Sequence, residues 1–219
     1  MHSSPRCKRS ASCSCRSDVS RDLKSARATP RPIAAEAAPT KSSTMPDLLF
    51  RDATVADVPA LVTLVTRAYR GDASRVGWTT EADVLDGNRI DAEVLRHDIE
   101  RKRSRVILLE RDGALLSCAH VCEDAGAGYF GMFAVEPRLQ GGGIGKRLMD
   151  EAERMVRDDW QLPVMRMTVI DVREELIAFY ERRGYRRTGV FKPFPYGDER
   201  FGIPRRDDLR FEVLEKALR

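Results

Sequence analysis

The stretch that decides how this sequence is interpreted is Gln140-Gly141-Gly142-Gly143-Ile144-Gly145-Lys146-Arg147. It follows an apolar, strand-like run from Tyr129 to Val135 and opens a helical pattern with an apolar stripe from Ile144 to Met155. Glycines leave backbone N–H groups unobstructed, and a helix N-terminus adds a dipole that favours an anion. The stretch therefore predicts a phosphate or pyrophosphate site, beside which Lys146 or Arg147 would add positive charge.

Two other phosphate-binding motifs do not fit these residues. The nucleoside-triphosphate loop G-x-x-x-x-G-K-[ST] needs a glycine where Gln140 stands and a hydroxyl where Arg147 stands. The dinucleotide fingerprint G-x-G-x-x-G would place Lys146 or Leu148 at its third glycine. A glycine turn without a ligand remains the alternative, although so many glycines weaken packing for no structural return.

The pattern of apolar residues around this stretch predicts a mixed sheet. Asp112-Gly113 joins two strand-like runs as a tight hairpin in the first half, whereas helical patterns separate later strands. Asp91 is expected to cap a helix that turns Val94, Leu95 and Ile99 inward. The predicted strands cover residues 48–53, 106–110, 115–122, 129–135, 164–170, 185–190 and 208–216.

Two motifs in order resemble those of a known family. The pattern [QR]-x-x-G-x-[GA] after an apolar strand is similar to the coenzyme A pyrophosphate signature of the GNAT N-acetyltransferase superfamily, with Gln140, Gly143 and Gly145 in place. The segment from Leu176 to Tyr185, LIAFYERRGY, resembles the family's F-Y-x-x-x-G-[FY] motif. The resemblance covers about residues 48–218, and the ordered pair is more specific than either motif alone.

This resemblance implies an α/β (α+β) fold, the GNAT acyl-CoA N-acyltransferase fold. Its sheet is mixed, mostly antiparallel and six- to seven-stranded, with about four flanking helices. In that fold the strand before the glycine stretch separates from its neighbour after a bulge, and the pantetheine arm pairs with the exposed strand. The implied acetyl-CoA-binding residues are Phe133, Ala134, Val135, Gln140, Gly141, Gly142, Gly143, Ile144, Gly145 and Lys146.

The implied reaction is transfer of the acetyl group of acetyl-CoA to a primary amine, which attacks directly in a ternary complex. A small-molecule acceptor is the first expectation. The alternatives are a protein N-terminus or lysine as acceptor, or a coenzyme A-binding sensor without turnover.

Tyr180, in the second motif, is the candidate catalytic residue. A phenol has a pKa of roughly 10 and a thiol roughly 8.5, so Tyr180 is suited to protonate the departing thiolate as general acid; the alternative is a tyrosine of the core.

The general base stays open, because the strand before the glycine stretch holds no carboxylate. Glu123, Asp124 and Asp171 are candidates at strand ends, beside a water relay. Arg173 replaces an asparagine common in the family, which weakens any role for that contact and supports the sensor alternative.

Several residues are candidates for the acceptor site. Trp78 and Tyr69 are expected to line it or, for Tyr69 above all, to pack in the core. His120 is expected in mid-strand, either at the site or packed. The segment 191–204 is expected to be an ordered loop near the acceptor, where Asp198-Glu199 would attract a cationic amine or remain solvated surface.

The charge of the 219-residue chain is unevenly distributed. The formal net charge is +4, but residues 1–44 hold nine Lys or Arg against three Asp or Glu, which leaves residues 45–219 slightly negative. We therefore expect a disordered basic tail, 1–44, before a GNAT domain, 45–219, and no nucleic-acid partner. The tail is an upstream extension if translation starts at Met45; an organellar transit peptide is the other alternative.

The remaining composition sets further expectations. Five cysteines without regular spacing predict reduced thiols and a cytoplasmic location. The chain has no C-x-x-C pair and only three scattered histidines, so no metal is expected. No apolar run approaches the roughly 20 residues that span a bilayer, so no membrane partner is expected. A homodimer is allowed by the family resemblance.

Overall fold

The computed structural model describes residues 48–219. The predicted tail, 1–44, and the start of the domain at 45 lie outside the described residues. The strands are β1 Leu48–Asp52, β2 Leu85–Asp86, β3 Ser104–Arg111, β4 Ala114–Asp124, β5 Ala127–Val135, β6 Val164–Ile170, β7 Arg186–Pro193, β8 Ile203–Pro204 and β9 Arg210–Ala217. The helices are α1 Val58–Tyr69, α2 Gly71–Ser74, α3 Ala92–Glu100, α4 Ile144–Arg154, extended by a π-helical turn Met155–Asp159, and α5 Glu174–Glu181.

Seven strands form one sheet in the order β1-β3-β4-β5-β6-β9-β7. Every neighbouring pair is antiparallel except β5 and β6, which are parallel because α4 crosses over between them. The expected mixed, mostly antiparallel α/β sheet is therefore confirmed, with five helices where about four were predicted. Strands β2 and β8 form a separate two-stranded ribbon.

Helices cover both faces of the sheet. The side chains of β3 alternate between two clusters, since Ile107 packs with one and Leu108 with the other. The cluster of Ile107 contains buried residues of α4 and α5, such as Leu148. The cluster of Leu108 contains buried residues of α1 and α3, such as Leu61 and Leu95. The sheet is thus a central layer between two helical layers.

Local signals placed most turns correctly. Asp112 and Gly113 both have positive φ, 51° and 75°, as a tight β-hairpin turn requires. The Asp91 carboxylate accepts hydrogen bonds from the amides of Glu93 and Val94 and so caps α3. Gly184 lies just after the end of α5 and has a positive φ of 90°, as is common for a glycine that terminates a helix.

Two expectations about the periphery were wrong. Val94 does not point inward: it is 44% exposed, while Leu95 beside it is 1% exposed, because the apolar face of this short helix is narrower than predicted. The segment 191–204 is not simply a loop. Its start continues β7, and its last residues form β8, which pairs with β2.

No helix within 48–219 has both the length and the hydropathy that crossing a membrane demands.

Candidate active site

Strands β5 and β6 part in the middle of the sheet. They pair only through Gly128 with Met165 and Tyr129 with Arg166. Beyond Tyr129 the two strands have no mutual pairing, although β5 continues to Val135. The separation that the family resemblance implied is therefore present, and it leaves the end of β5 with one unpaired edge.

A β-bulge in the pairing of β4 with β5 lies where β5 separates from β6. On β4, His120 pairs with Gly131 and Cys118 pairs with Ala134, so Ala119 lies opposite two residues of β5. One of these two, Met132, has a positive φ of 46°. Such a conformation is rare for a side chain of this size and is typical of functional sites.

A cleft of about 660 Å³ opens where the strands separate, between the glycine turn and α5. Its lining residues include Trp78, Thr79, Phe133, Val135, Gln140, Gly141, Gly143, Gly145, Lys146, Arg182 and Arg183.

The glycine turn presents free amides to this cleft. Gly141 and Gly143 both have φ of 83°, a conformation that favours glycine. The first backbone bond of α4 runs from the Arg147 amide to the Gly143 carbonyl, so the amides of residues 144–146 have no backbone acceptor among the described residues. The absence of a side chain at Gly145 also serves packing, because a Cβ there would lie 2.9 Å from the ring of Phe133.

The side chain of Gln140 does not point at the cleft as a free group. Its amide nitrogen donates to the Thr79 hydroxyl at 2.9 Å and to the Val135 carbonyl at 3.2 Å. Its oxygen accepts from the Trp78 amide at 2.9 Å. Gln140 thus fastens the segment before β2 to the end of β5, and only its backbone remains for a ligand.

Three of the expected acetyl-CoA-binding residues do not line the cleft. Ala134 is buried, and its carbonyl accepts from the Ser117 hydroxyl at 2.8 Å. Ile144 is the first residue of α4, and its side chain is buried in the core, out of reach of a ligand. Gly142 is exposed, but its amide donates to the Leu139 carbonyl at 3.4 Å.

Sequence reasoning missed two basic residues of the cleft. Arg182 and Arg183 follow α5 and face the glycine turn from across the cleft. The Arg183 guanidinium lies 3.4 Å from the ring centroid of Phe179 and donates to the Phe179 carbonyl, so it is fixed in place. The positive charge expected from Lys146 is already paired, since its Nζ lies 2.7 Å from a carboxylate oxygen of Asp150. The adjacent Arg-Arg pair in the second motif was the available signal.

A second, smaller cavity of about 90 Å³ adjoins the cleft, since Phe133 lines both. Tyr180 and Tyr69 lie in its wall, together with residues of β5 and β6. The Tyr69 hydroxyl donates to the Phe133 carbonyl at the bulge. Tyr69 is packed in the core, where it is 6% exposed, and its side chain also forms part of the cavity wall.

Tyr180 has the one tyrosine hydroxyl without a hydrogen-bond partner among residues 48–219. The other four bond to Phe133, Thr168, Glu153 and the Arg206–Leu209 backbone. Burial raises the pKa of Tyr180, so the phenol is fully protonated at neutral pH. Its hydroxyl is thus a donor that is free to serve a bound molecule.

A buried ion cluster closes the far side of this cavity. Glu81 is 4% exposed and lies 2.5 Å from Arg70, 3.3 Å from Arg89 and 3.3 Å from Arg173. Burial pushes the pKa of Glu81 upward, but the three guanidiniums outweigh it and hold the pKa below its usual value. Arg173 also donates to the Thr79 carbonyl at 2.7 Å, so it ties α5 to the segment before β2.

The carboxylates proposed as bases lie elsewhere. Glu123 is paired with Arg103, and Asp171 is paired with Arg210 at 2.5 Å. Neither these nor Asp124 line the cavity of Tyr180. Asp198 likewise does not line this cavity and is paired with Arg200, so it adds no negative charge to the cavity lining.

His120 is packed on the face of α3, away from the cavity. Its Nε2 lies 2.8 Å from the Ser104 hydroxyl, and its Nδ1 lies 3.7 Å from Asp98. Burial lowers the pKa of His120, against the opposing effect of Asp98.

This lowered pKa predicts a loss of stability in mild acid. Below pH about 6.5 the unfolded chain binds a proton at His120 that the folded chain does not, so stability falls as the pH falls. We expect a slope of up to about 1.4 kcal/mol per pH unit in urea unfolding between pH 6.5 and the folded pKa. His120→Asn should remove this slope. The exposed-site control, His97→Asn, should retain it, and an unchanged slope in His120→Asn would contradict the assignment.

Comparisons with known proteins agree with this geometry. A family model for the acetyltransferase (GNAT) domain matches residues 70–192, whereas no curated protein matches the chain in sequence. The fold is similar to a ribosomal-protein-alanine N-acetyltransferase from Brucella melitensis, with 22% identity, a TM-score of 0.58 and coverage of 78% of this chain and 99% of that one.

Two other solved structures share the fold. A mutant spermidine N-acetyltransferase from Vibrio cholerae is 12% identical, with a TM-score of 0.57 and coverage of 78% and 94%. A putative acetyltransferase from Salmonella typhimurium, solved with its cofactor acetyl-CoA, is 17% identical, with a TM-score of 0.57 and coverage of 79% and 95%. The named acceptors differ among these proteins, so the fold alone does not determine the acceptor. The family match spans more than half of the chain and includes both motifs, and the chain therefore belongs to the GNAT family of acetyl-CoA-dependent N-acetyltransferases.

Proposed function

We propose that this enzyme transfers the acetyl group of acetyl-CoA to a primary amine of a small molecule, in the cavity beside Tyr180. The observation that carries the proposal is that Phe133 lines both the cleft and this cavity, because this places a nucleotide-sized cleft beside a free tyrosine hydroxyl. The volume of about 90 Å³ suits the end of a small amine better than a folded protein surface.

The residues of the cleft fit acetyl-CoA. The free amides of Gly141, Gly143 and residues 144–146 would hold its diphosphate, and Arg182 would add positive charge. The unpaired edge of β5 would accept the pantetheine arm as an added strand. Acetyl-CoA supplies the activated acyl group, and the protein positions it against the amine.

Proton transfers in this proposal involve Tyr180 and the ion cluster. The Tyr180 hydroxyl donates toward the sulfur as it leaves, where a thiolate in the same buried surroundings is a stronger base than in water. Glu81 is a poor base because three arginines hold it ionised. Those arginines instead lower the pKa of a nearby ammonium group, so the acceptor loses its proton to water more readily.

A cytoplasmic location also belongs to this proposal. Cys118 and Cys122 are buried free thiols, and burial raises the pKa of Cys118 to about 12. Such thiols are typical of proteins in a reducing compartment.

The glycine turn gives a direct test of the acetyl-CoA site. Gly143→Ala would place a Cβ in open space but on a φ of 83°, so its cost is backbone strain of about 1–2 kcal/mol. We expect relaxation of the turn to weaken acetyl-CoA binding about five- to thirtyfold by calorimetry. Gly142→Ala is the matched control, since Gly142 is not at positive φ, and equal losses in the two variants would count against the site.

Turnover is tested by thiol release from acetyl-CoA with a panel of amines. Release with small amines and none with peptides is the expected result. Acetyl-CoA binding without release on any amine would instead identify a sensor and refute the proposed function.

A further inference from the structure

The cavity beside Tyr180 contains more positive than negative charge. Its charged lining residues are Glu81, Arg89 and Arg173, and Arg70 contacts Glu81 from behind the wall. Within the described part of the chain, Glu81 is the single acidic residue of this lining. Three guanidiniums against one carboxylate leave a formal surplus of two positive charges at a mostly buried site.

Arg89 is the arginine of this cluster that lines the cavity and donates no hydrogen bond within residues 48–219; Arg70 also has two unpaired nitrogens, but it does not line the cavity. Arg70 and Arg173 both donate to Glu81. The Nε of Arg89 lies 3.3 Å from a Glu81 oxygen, yet it is buried without a hydrogen-bond partner. Its guanidinium donates no hydrogen bond to any residue in the range 48–219.

The orientation of Arg89 is nevertheless fixed. Its guanidinium carbon lies 4.8 Å from the ring centroid of Tyr69, in a cation–π contact. A planar guanidinium that is held in place and has free N–H groups matches the two oxygens of a carboxylate. The buried Nε faces Glu81, so the two terminal nitrogens, which donate no hydrogen bond within residues 48–219, are the groups left for a ligand.

We propose that the acceptor amine also carries a carboxylate, as an amino acid does, and that Arg89 binds this carboxylate while Arg173 adds charge. The proposal rests on the proposed function, since the cavity is the acceptor site only if acetyl transfer takes place beside Tyr180. Binding of one carboxylate leaves one surplus positive charge, which still favours the neutral, nucleophilic form of the amine. A polyamine would bring a further positive charge to the same cavity and be repelled.

The test compares acceptors that differ in the carboxylate alone. Thiol release is measured with a set of L-amino acids, the corresponding amino-acid amides and the decarboxylated amines, with spermidine as the polyamine. We expect kcat/KM to be about ten- to a hundredfold higher for the acids than for their amides, the range expected for a hydrogen bond to a charged group. Spermidine is expected to be the poorest acceptor.

Variants of Arg89 show whether this residue causes the preference. Arg89→Gln should lower kcat/KM for the acids about tenfold or more beyond its effect on the amides, so that the acid-to-amide ratio falls toward one; the amides lose only the contribution of Arg89 to deprotonation of the amine. Arg89→Lys keeps the charge without the planar fork and should give an intermediate preference. Arg205→Gln, at an exposed arginine paired with Asp86, is the control and should retain the full preference. Circular dichroism establishes that each variant is folded.

The possible failures are distinguishable. Equal kcat/KM for acids and amides, or an Arg89→Gln variant that lowers both alike, would overturn the inference. Turnover of spermidine or neutral amines with none of the acids would overturn the inference and leave the proposed function standing. Acetyl-CoA binding with no thiol release on any amine would overturn both.

Discussion

Glu81→Gln is expected to lower the free energy of unfolding by about 3–5 kcal/mol, the cost of leaving buried charges without their partner. Glu81 is the shared ion-pair partner of Arg70, Arg89 and Arg173, of which Arg70 is 7% exposed. Without the carboxylate, three guanidiniums would lie together at a largely buried site with no negative partner. Urea unfolding followed by circular dichroism measures the change.

A surface ion pair in the neighbouring ribbon provides the control. Asp86 contacts Arg205 at 2.7 Å, as close as a buried pair, but both side chains are 50% exposed. Water and salt screen such a pair, so Asp86→Asn should leave the unfolding midpoint nearly unchanged. Similar unfolding midpoints for Glu81→Gln and Asp86→Asn would show that the buried ion cluster contributes no more to stability than an exposed ion pair.

Tyr180→Phe is expected to reduce kcat by about 10²–10⁴, the usual contribution of a positioned acid or base. The KM for acetyl-CoA should change little, because the phenol ring stays and the glycine turn is untouched. Stability should also change little, since the Tyr180 hydroxyl has no partner among residues 48–219 whose loss could be felt. Steady-state thiol release and thermal unfolding of the same preparations provide the two measurements.

Tyr185→Phe tests the specificity of this result. Tyr185 is 2% exposed and contacts the ring of Tyr180 edge-on, with 5.9 Å between centroids. Its hydroxyl donates to Glu153 at 3.0 Å, outside the cavity. Its removal should cost stability of about 1 kcal/mol and leave kcat intact. A loss of kcat in Tyr185→Phe as large as that in Tyr180→Phe would show that general packing, not the free hydroxyl, limits the reaction.

The sequence was sufficient for those features that depend on neighbours along the chain. The Asp112-Gly113 hairpin, the Asp91 cap and the glycine turn before α4 are each set by a few consecutive residues, because backbone conformation and capping are local properties. Alternation and helical period fixed the order of the strands and helices, and thereby the mixed sheet. Two-residue strands such as β2 and β8 were missed, because they are too short to show any period.

Only the tertiary structure decided which side chains meet. The ion cluster joins residues 70, 81, 89 and 173, and its bond between Arg173 and Glu81 spans 92 positions of the chain. No sequence pattern marks such a contact, since charge pairing acts through space. The side chain of Gln140, expected at the cofactor, is used by Thr79, Val135 and the Trp78 backbone. The sequence by itself determined the fold and the place of the cleft that we propose for acetyl-CoA, whereas the packing of distant segments determined the charge of the cavity beside it.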